Sequence, residues 1–270
     1  MFVLLILLAG LNAAAQEPVL EKILTAHFRA MEMEKFITIN TMEIRGLMIQ
    51  QDAMPVKILR KRPDLFIMEY DVMDMTTYQG YDGDTAWMTM PWTGSTKPQI
   101  LSGDRAGDMK IRADFDGVLH GWQEKGFNLE ADGIDTVDHQ TAWRLKLTKP
   151  DGNHEFLFID QNSHLLVKRL YHRMIRGKEA TMEIFFRDYR QVNGIPFAFI
   201  QDTHYDGQPY NSLQVDSVKY NEPLDDRQFR IPRKLHPPGL FFKTGKSDLP
   251  ILLLPDSSFF SLFAPAGISR

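Results

Sequence analysis

Apolar positions recur at two different spacings along the chain, and the change between them separates helix from strand. Residues 17–35 carry their larger side chains every three or four positions, which predicts a helix. From about residue 36 the spacing changes, and the alternation over 39–48 predicts a long strand. Further strands are predicted near 55–62, 65–71, 75–81 and 84–90.

The middle of the chain is predicted to contain one loop and one helix. Residues 92–108 are rich in Gly, Ser, Thr, Pro and Asp, a composition typical of loops. The spacing of the apolar residues from Ile111 to Trp122 predicts a helix over 110–124. Two glycines inside this helix weaken it by about 1 kcal/mol each relative to alanine.

After Gly126 the chain returns to strands, which are separated by turn dipeptides. Asp151-Gly152, Asn193-Gly194 and Asp206-Gly207 are typical of hairpin turns. Strands are predicted at 127–136, 140–149, 153–160, 164–174, 179–190, 195–206 and 209–220. Because sequential hairpins make an antiparallel meander, the expected fold is mainly β (α+β), one large, strongly curved antiparallel sheet with two or three helices.

The two ends of the chain differ in composition from the part between them. Residues 1–15 combine an apolar core with a run of alanines before Gln16, the pattern of a secretory signal peptide, although no Lys or Arg precedes the core. Residues 233–270 form an apolar tail broken by prolines. This tail is either a disordered or misread extension or a segment that packs on the sheet, so the folded domain is expected over 16–232.

Composition excludes several classes of function. The absence of cysteine excludes disulfides, cysteine nucleophiles and a lipid anchor on cysteine, so the exported protein is expected to be soluble. With a net charge of −4 and scattered Lys and Arg, the chain shows no basic patch of the kind that binds nucleic acid. The sequence has no Gly-rich phosphate loop, no His-Glu-x-x-His and no Gly-x-Ser-x-Gly motif. We therefore expect no enzymatic activity, no metal and no cofactor.

One stretch of the chain carries more information than the rest. In Lys61-Arg62-Pro63-Asp64-Leu65-Phe66 the proline ends one strand, since it has no N–H to donate, before an extended run resumes. Shortly afterwards Tyr81-Asp82-Gly83-Asp84-Thr85-Ala86-Trp87 predicts a hairpin around an Asp-Gly turn, with Pro91 close behind. These two pieces, in this order, resemble the outer-membrane lipoprotein-sorting proteins, the LolA-like periplasmic carriers.

The resemblance extends into the second half of the chain. Phe158-Ile159-Asp160-Gln161 is similar to the strand end that precedes the family's later hairpin. The run from Asp188-Tyr189 through Asn193-Gly194 to Pro196 resembles a turn of the longer, Bacteroidetes-type members, and residues 221–232 resemble their closing segment. The resemblance therefore covers roughly residues 17–232.

The resemblance implies a fold, a function and a cellular location. It implies an incomplete, half-closed barrel, covered by helices, that shelters lipoprotein acyl chains or related lipid in the periplasm. The partners implied are an inner-membrane lipoprotein-releasing transporter and an outer-membrane acceptor, with the carrier itself a monomer. The family's lid arginine corresponds to Arg62, which would hold a helical lid closed through hydrogen bonds to lid backbone, and the helix predicted over 110–124 is the lid candidate.

The residues expected to line the acyl cavity lie mostly in the first half of the chain. Ten of the 14 methionines fall between Met31 and Met90, and thioether side chains adapt to varied apolar partners. Composition alone favours an ordinary core, and it is the resemblance that favours a cavity. The predicted cavity and lid comprise Arg62, Leu65, Phe66, Met68, Trp87, Met88, Met90, Phe115 and Trp122.

Two other functions stay open on the sequence alone. A periplasmic sensor or scaffold of the same superfamily would bind lipid or lipoprotein as a signal, and residues 233–270 would be its extra partner-binding region. A hydrolase on a β scaffold has no motif in its favour, and turn chemistry explains the paired aspartates such as Asp82 and Asp84.

Overall fold

Thirteen strands in the described residues of the computed structural model form one antiparallel sheet. The structure describes four stretches: 18–72, 75–95, 97–175 and 178–232. The expected signal peptide at 1–15 and the extension at 233–270 therefore lie outside the described residues.

Helices stand at two places in the described chain, before the first strand and between the sixth and seventh. The described part of helix α1 covers residues 18–30, and the one-turn helix α2 (Met33–Phe36) follows it. Six strands come next: β1 (Thr41–Ile49), β2 (Ala53–Lys61), β3 (Leu65–Val72), β4 (Met75–Asp82), β5 (Ala86–Met88) and β6 (Gln99–Ile100). Helix α3 (Gly103–Ala113) precedes the remaining seven: β7 (Asn128–Val137), β8 (Gln140–Thr148), β9 (His154–Asp160), β10 (Leu166–Ile175), β11 (Lys178–Val192), β12 (Ile195–Tyr205) and β13 (Gln208–Tyr220). Single 3₁₀ turns stand at Pro91–Thr93 and Asp226–Gln228.

The first and last strands join two meanders into one sheet. The strand order is β6-β5-β4-β3-β2-β1-β13-β12-β11-β10-β9-β8-β7, so β1 pairs with β13 and each other strand pairs with its sequence neighbours. Within the described residues β6 and β7 are the two open edges, and the sheet does not close into a barrel. The predicted fold class, mainly β with an incomplete barrel and few helices, is confirmed.

Hairpin turns end most of these strands where the sequence predicts. In Asn193-Gly194 both residues have positive φ, 50° and 76°, and Asp206-Gly207 repeats this with 47° and 75°. Paired positive φ values give a turn whose twist matches that of the flanking strands, and Asn, Asp and Gly tolerate them best. The predicted strand positions are therefore confirmed to within a few residues, except that the two-residue β6 was not predicted.

The predicted helix over 110–124 is wrong beyond residue 113, and the predicted loop over 92–108 is wrong from residue 103 onward. Helix α3 occupies Gly103–Ala113 and leaves helical geometry at Asp114, where ψ is 102°. Residues 115–126 then form consecutive turns, with Gly117 at φ 73° and Gly121 at φ 62°. A helix cannot continue through such left-handed residues. The apolar spacing in this turn segment (residues 114–126) therefore reflects burial of turns rather than a helical face.

Two clusters of buried side chains lie under two different helices. The first, which we call the α3 cluster, includes Phe66 and Met88 from the sheet and Met109 and Phe115 from the covering segments. The second, which we call the α1 cluster, packs Leu20, Ile23 and Leu24 of α1 against Leu145, Leu147, Leu157 and Ile159 of β8 and β9. The sheet therefore has a separate cover at each end.

Helix α1 is also fixed to the sheet by a buried histidine. His27 is 5% exposed, and its Nδ1 donates a hydrogen bond to the backbone oxygen of His164 at 2.8 Å. Burial lowers the pKa of His27 in spite of this hydrogen bond. His27 is therefore a core histidine whose ring nitrogen is satisfied by the backbone.

Acid is expected to destabilise the fold through His27. The unfolded chain titrates this histidine near its ordinary pKa of about 6.5, whereas the folded chain takes up the proton only at lower pH. Stability is therefore fully present above about pH 6.5 and falls as the pH drops towards the folded-state pKa. When urea unfolding is measured at a series of pH values, the free energy of unfolding should fall less steeply with decreasing pH for His27→Gln than for the original chain. Equal declines in the two proteins would contradict this role of His27.

Candidate functional site

The candidate site is built on the inward face of strands β3 to β5. Because side chains alternate along a strand, Phe66, Met68 and Tyr70 of β3 share one face. They are 4–5% exposed, and Met88 of β5 on the same side is fully buried. The pairing Phe66↔Tyr81 and Met68↔Gln79 brings β4 into the same surface. The result is a mainly apolar floor that includes thioether side chains.

Helix α3 and the turn segment cover this floor. Ala106, Met109 and Ala113 recur at three and four residues, so they form one stripe along α3, and all three belong to or pack against the α3 cluster. Phe115, just beyond the helix, is 1% exposed in the same cluster. The floor is therefore closed by a short helix and a turn rather than by another layer of sheet.

Arg62 ties this cover to the N-terminal helices. Its Nε donates to the backbone oxygen of Ile39 at 2.5 Å, and its Nη2 donates to that of Phe36 at 3.2 Å. Phe36 is the last residue of α2, and helix C-terminal carbonyls lack intrahelical donors. From the same guanidinium, Nη1 donates to Asp116 Oδ2 at 2.5 Å. One side chain at the end of β2 therefore holds both α2 and the turn segment.

A second arginine two residues earlier supports the same segment. Arg60 Nη2 donates to the backbone oxygen of Asp114 at 2.5 Å. The guanidinium carbons of Arg60 and Arg62 lie 5.2 and 4.6 Å from the ring centre of Phe115, within the range of cation–π attraction. Burial lowers the pKa of Arg60 to about 10, with the charges of Asp114 and Asp116 opposing the shift. Arg60 thus stays charged at neutral pH.

Lys125 closes the turn segment on itself. Its Nζ lies 2.6 Å from Asp114 Oδ2 and 2.7 Å from the backbone oxygen of Gly117. Leu119, Val118 and Trp122 farther along the segment lie in or against the α1 cluster, while charged hydrogen bonds hold the start of the segment over the α3 cluster. Such contacts are directional, so a small displacement of the segment would break several of them together.

The structure brings together only part of the predicted site. Phe66, Met68, Met88, Met90 and Phe115 all lie in the α3 cluster. Arg62 lies at its rim, against Phe115.

Three predicted site residues lie elsewhere. Leu65 is half-buried on the opposite face of β3 from Phe66. Trp87 is buried away from the cluster, and its Nε1 donates to the backbone oxygen of Phe229 at 3.3 Å. Trp122 packs against the α1 cluster. The α3 cluster therefore includes neither Leu65 nor Trp87 nor Trp122, because strand alternation and the broken helix point them to other parts of the core.

Sequence reasoning missed the roles of Arg60, Asp114 and Asp116. The sequence patterns assigned Arg60 no role, and turn chemistry was the only role expected of paired aspartates such as Asp114 and Asp116. The spacing of Arg60 and Arg62 could have indicated a shared role, because residues two apart share one face of a strand. The positions of their partners depend on the turn segment, whose path the sequence did not predict.

A surface depression of about 370 Å³ lies beside the α3 cluster. It is bounded by the β4–β6 edge of the sheet and by α3, and its lining includes Tyr81, Ala86, Leu101, Ala106 and Lys110. Tyr81, Ala86 and Leu101 are also members of the α3 cluster. The depression therefore reaches the edge of the buried floor from outside. A different depression, of about 670 Å³, is lined by residues such as Asn40, Lys61 and Leu224 and does not border the floor.

The described residues contain no group of three or more His, Asp or Glu side chains that could hold a metal ion. In the described stretches of the chain, no helix is both long and apolar enough to cross a membrane.

Comparison with known proteins gives a likeness in fold. A DUF1329 family protein from Desulfovibrio piger superimposes with a TM-score of 0.54 at 14% identity, covering 76% of this chain and 96% of that one. A LolA superfamily protein from Nitrosomonas europaea superimposes with a TM-score of 0.51 at 15% identity, covering 71% of this chain and 90% of that one. No protein-family profile and no curated protein sequence matches the chain. The resemblance inferred from sequence is therefore confirmed at the level of the fold.

Proposed function

We propose that the protein is a non-enzymatic carrier that shelters acyl chains of lipoproteins or related lipids beneath α3 and moves them towards the outer membrane. The observation that carries the proposal is a buried, methionine-containing floor whose cover is a short helix and a turn segment held by charged hydrogen bonds. The LolA-like fold and the Lys-Arg-Pro motif support the same function.

The free energy of burying apolar surface favours replacement of the cover's side chains by a lipid acyl chain. Each buried CH₂ contributes about 0.8 kcal/mol, so a chain with about ten buried CH₂ groups gains about 8 kcal/mol. The cover brings few large apolar side chains to the floor, chiefly Met109 and Phe115. An acyl chain that takes their place would bury at least as much apolar surface, which offsets the loss of the polar ties at Arg60 and Arg62.

The depression between α3 and the edge of the sheet is the proposed entrance. Ala86 and Leu101 line it and also belong to the cluster, so a chain entering there meets apolar side chains first. Strand β6, which forms that edge, has only two residues and pairs with β5 alone. Few backbone hydrogen bonds would therefore have to break for the entrance to widen.

The carrier is proposed to work as a periplasmic monomer. Residues 1–15 would be removed as a signal peptide, residues 16–232 would form the carrier domain, and 233–270 would be an extension of it. An inner-membrane lipoprotein-releasing transporter would supply the cargo, and an outer-membrane acceptor that binds acyl chains more tightly would take it.

Displacement of a fluorescent fatty acid from the purified protein tests the proposed function. A diacylated peptide is expected to displace the probe at micromolar concentration, because its acyl chains compete for the floor. The same peptide without acyl chains should displace nothing, since no described feature recognises a particular peptide. Failure of the probe and the diacylated peptide to bind would contradict the carrier function.

A further inference from the structure

Helix α3 carries a second, charged stripe beside its apolar one. Arg105, Asp108 and Arg112 recur at three and four residues, so they share a helix face next to that of Ala106, Met109 and Ala113. Asp108 Oδ2 lies 2.8 Å from Nη1 of Arg173 on β10. Because α3 packs on β3 to β5, and β10 is far from these strands in the sheet order, α3 connects two separate parts of the sheet.

Some polar groups beside this stripe are buried without a hydrogen-bond partner. The hydroxyl oxygen of Tyr70 and the Nε of Arg173 are in this state. The hydroxyl of Tyr210, close to both, interacts with Gln50. Arg105 Nη2 contacts Met88 Sδ at 2.9 Å, and a thioether is a weak acceptor. We call Tyr70, Arg105, Arg112, Arg173 and Tyr210 the polar end of the site.

The donors of the polar end lack a hydrogen-bond acceptor. An arginine Nε–H can only donate, and a tyrosine hydroxyl donates while its proton is present. Burial raises the pKa of Tyr70 well above neutrality, so this hydroxyl keeps its proton. Tyr70 is only 5% exposed, and its ring belongs to the α3 cluster. Its hydroxyl therefore marks the point where the apolar floor meets the polar end.

The charges around the polar end leave an excess of positive charge. Glu155 is fully buried, but it is paired with Arg169 and lies 3.8 Å from Lys149. Asp108 is the carboxylate within the charged stripe, and Arg173 already holds it. Half-buried Arg105 adds a further guanidinium group on α3, and exposed Arg112 adds another whose charge solvent screens. Burial, and then the charge of Arg173, lower the pKa of Arg105, which is the expected sign for a cation facing another cation.

From this arrangement we infer that the polar end binds the oxyanion headgroup of an acyl lipid whose hydrocarbon chain lies in the α3 cluster. The inference rests on the proposed function, because the acyl chain supplies the apolar half of the ligand. A carboxylate or a phosphate would supply the acceptors that Tyr70 and Arg173 lack and would offset the charge of Arg105 and Arg112. The carrier would then favour anionic amphiphiles over neutral ones of the same chain length.

Three ligands of one chain length test the preference: a fatty acid, a lysophosphatidic acid and a neutral monoacylglycerol. At least one of the two anions is expected to bind about tenfold more tightly than the neutral lipid, since charge-assisted hydrogen bonds are about twice as strong as neutral ones. Whether the fatty acid or the lysophosphatidic acid binds more tightly identifies the headgroup as carboxylate or phosphate. Inorganic phosphate alone, at the same concentrations, should neither bind nor displace the anionic lipid.

Tyr70→Phe and Arg173→Gln are each expected to lower the ratio of anionic to neutral lipid affinity by about tenfold, because each removes a donor to the headgroup. Tyr70→Phe deletes a hydroxyl that has no partner, so its melting temperature should not fall, which separates ligand recognition from folding. Arg45→Gln is the matched control, because Arg45 is an exposed arginine that pairs with Glu43 on β1. This control should keep the full preference.

Each outcome separates this inference from the proposed function. Equal affinity for anionic and neutral lipids would overturn the headgroup site while leaving the carrier intact. Binding of none of the three lipids would overturn both. Tight binding of inorganic phosphate that Tyr70→Phe weakens, without any preference among the lipids, would show a free-phosphate site and overturn the headgroup assignment.

Discussion

Phe66→Glu is expected to abolish uptake of acyl lipid. Phe66 is 4% exposed on the floor of the α3 cluster, beside Met68 and opposite Tyr81 of β4. A carboxylate there would lie directly across from Arg60 of β2, which holds the turn segment, and would place a charge on the surface that the acyl chain contacts. Desolvating a buried charge costs several kcal/mol, and a partner repays this only with excellent geometry. Because every 1.4 kcal/mol is tenfold in affinity, binding of the fluorescent fatty acid should weaken by about 100-fold or more.

Loss of folding could mimic this result, so two further variants accompany it. Phe66→Leu keeps the floor apolar and should retain most of the uptake. Leu145→Ala removes a fully buried side chain from the α1 cluster and should lower stability by about 2–5 kcal/mol without changing uptake. A folded Phe66→Glu protein with normal uptake would exclude Phe66 from the binding site.

Arg62→Leu is expected to release the cover. The change removes two hydrogen bonds to backbone oxygens, those of Phe36 and Ile39, and leaves Asp116 without its partner. Hydrogen bonds to charged groups contribute about 1.5–3 kcal/mol each, but this site is partly exposed, so we expect a total loss of about 2–4 kcal/mol. If half of that loss destabilises the closed state relative to the open state, lipid exchange should accelerate by about tenfold. Stopped-flow transfer of lipid to vesicles measures this rate.

Two variants show whether the geometry or merely the charge of Arg62 matters. Arg62→Lys keeps the charge, but an ammonium group cannot reach three acceptors as a planar guanidinium does. Its exchange rate should therefore lie between those of the original protein and Arg62→Leu. Arg227→Leu removes an arginine whose side chain is 81% exposed, and it should exchange lipid at the original rate. An unchanged exchange rate in Arg62→Leu would contradict a role of Arg62 in closing the cover.

Local signals in the sequence predicted most of the sheet, because hairpin strands and their turns are adjacent in the chain. Asn193-Gly194 and Asp206-Gly207 fix turns through their own backbone preferences. The pairing of β1 with β13 joins residues far apart in sequence, such as Ile44 and Val218, and no local pattern encodes it. Helix α3 was missed because glycines and aspartates dilute its apolar stripe, and its burial against the floor outweighs their weak propensity.

The positions of the expected site residues in the fold were predicted in part, for a related reason. Alternation along β3 and β5 correctly placed Phe66, Met68 and Met88 on one face. The same alternation separates Leu65 and Trp87 from them, so the residues predicted for the cavity lie on both faces of their strands. Arg60 and Asp116 could not be assigned, since their contacts depend on how the turn segment folds back over the sheet.

Native mass spectrometry of the protein purified from a bacterial periplasm tests the central claim most directly. The original chain is expected to carry an added mass that lipid extraction identifies as an acyl lipid, and the folded Phe66→Glu variant is expected to carry none. The same extraction identifies the headgroup, if one is present. A protein that emerges empty, and that stays empty when it is mixed with a diacylated peptide, would contradict the claim that the floor beneath α3 shelters acyl chains.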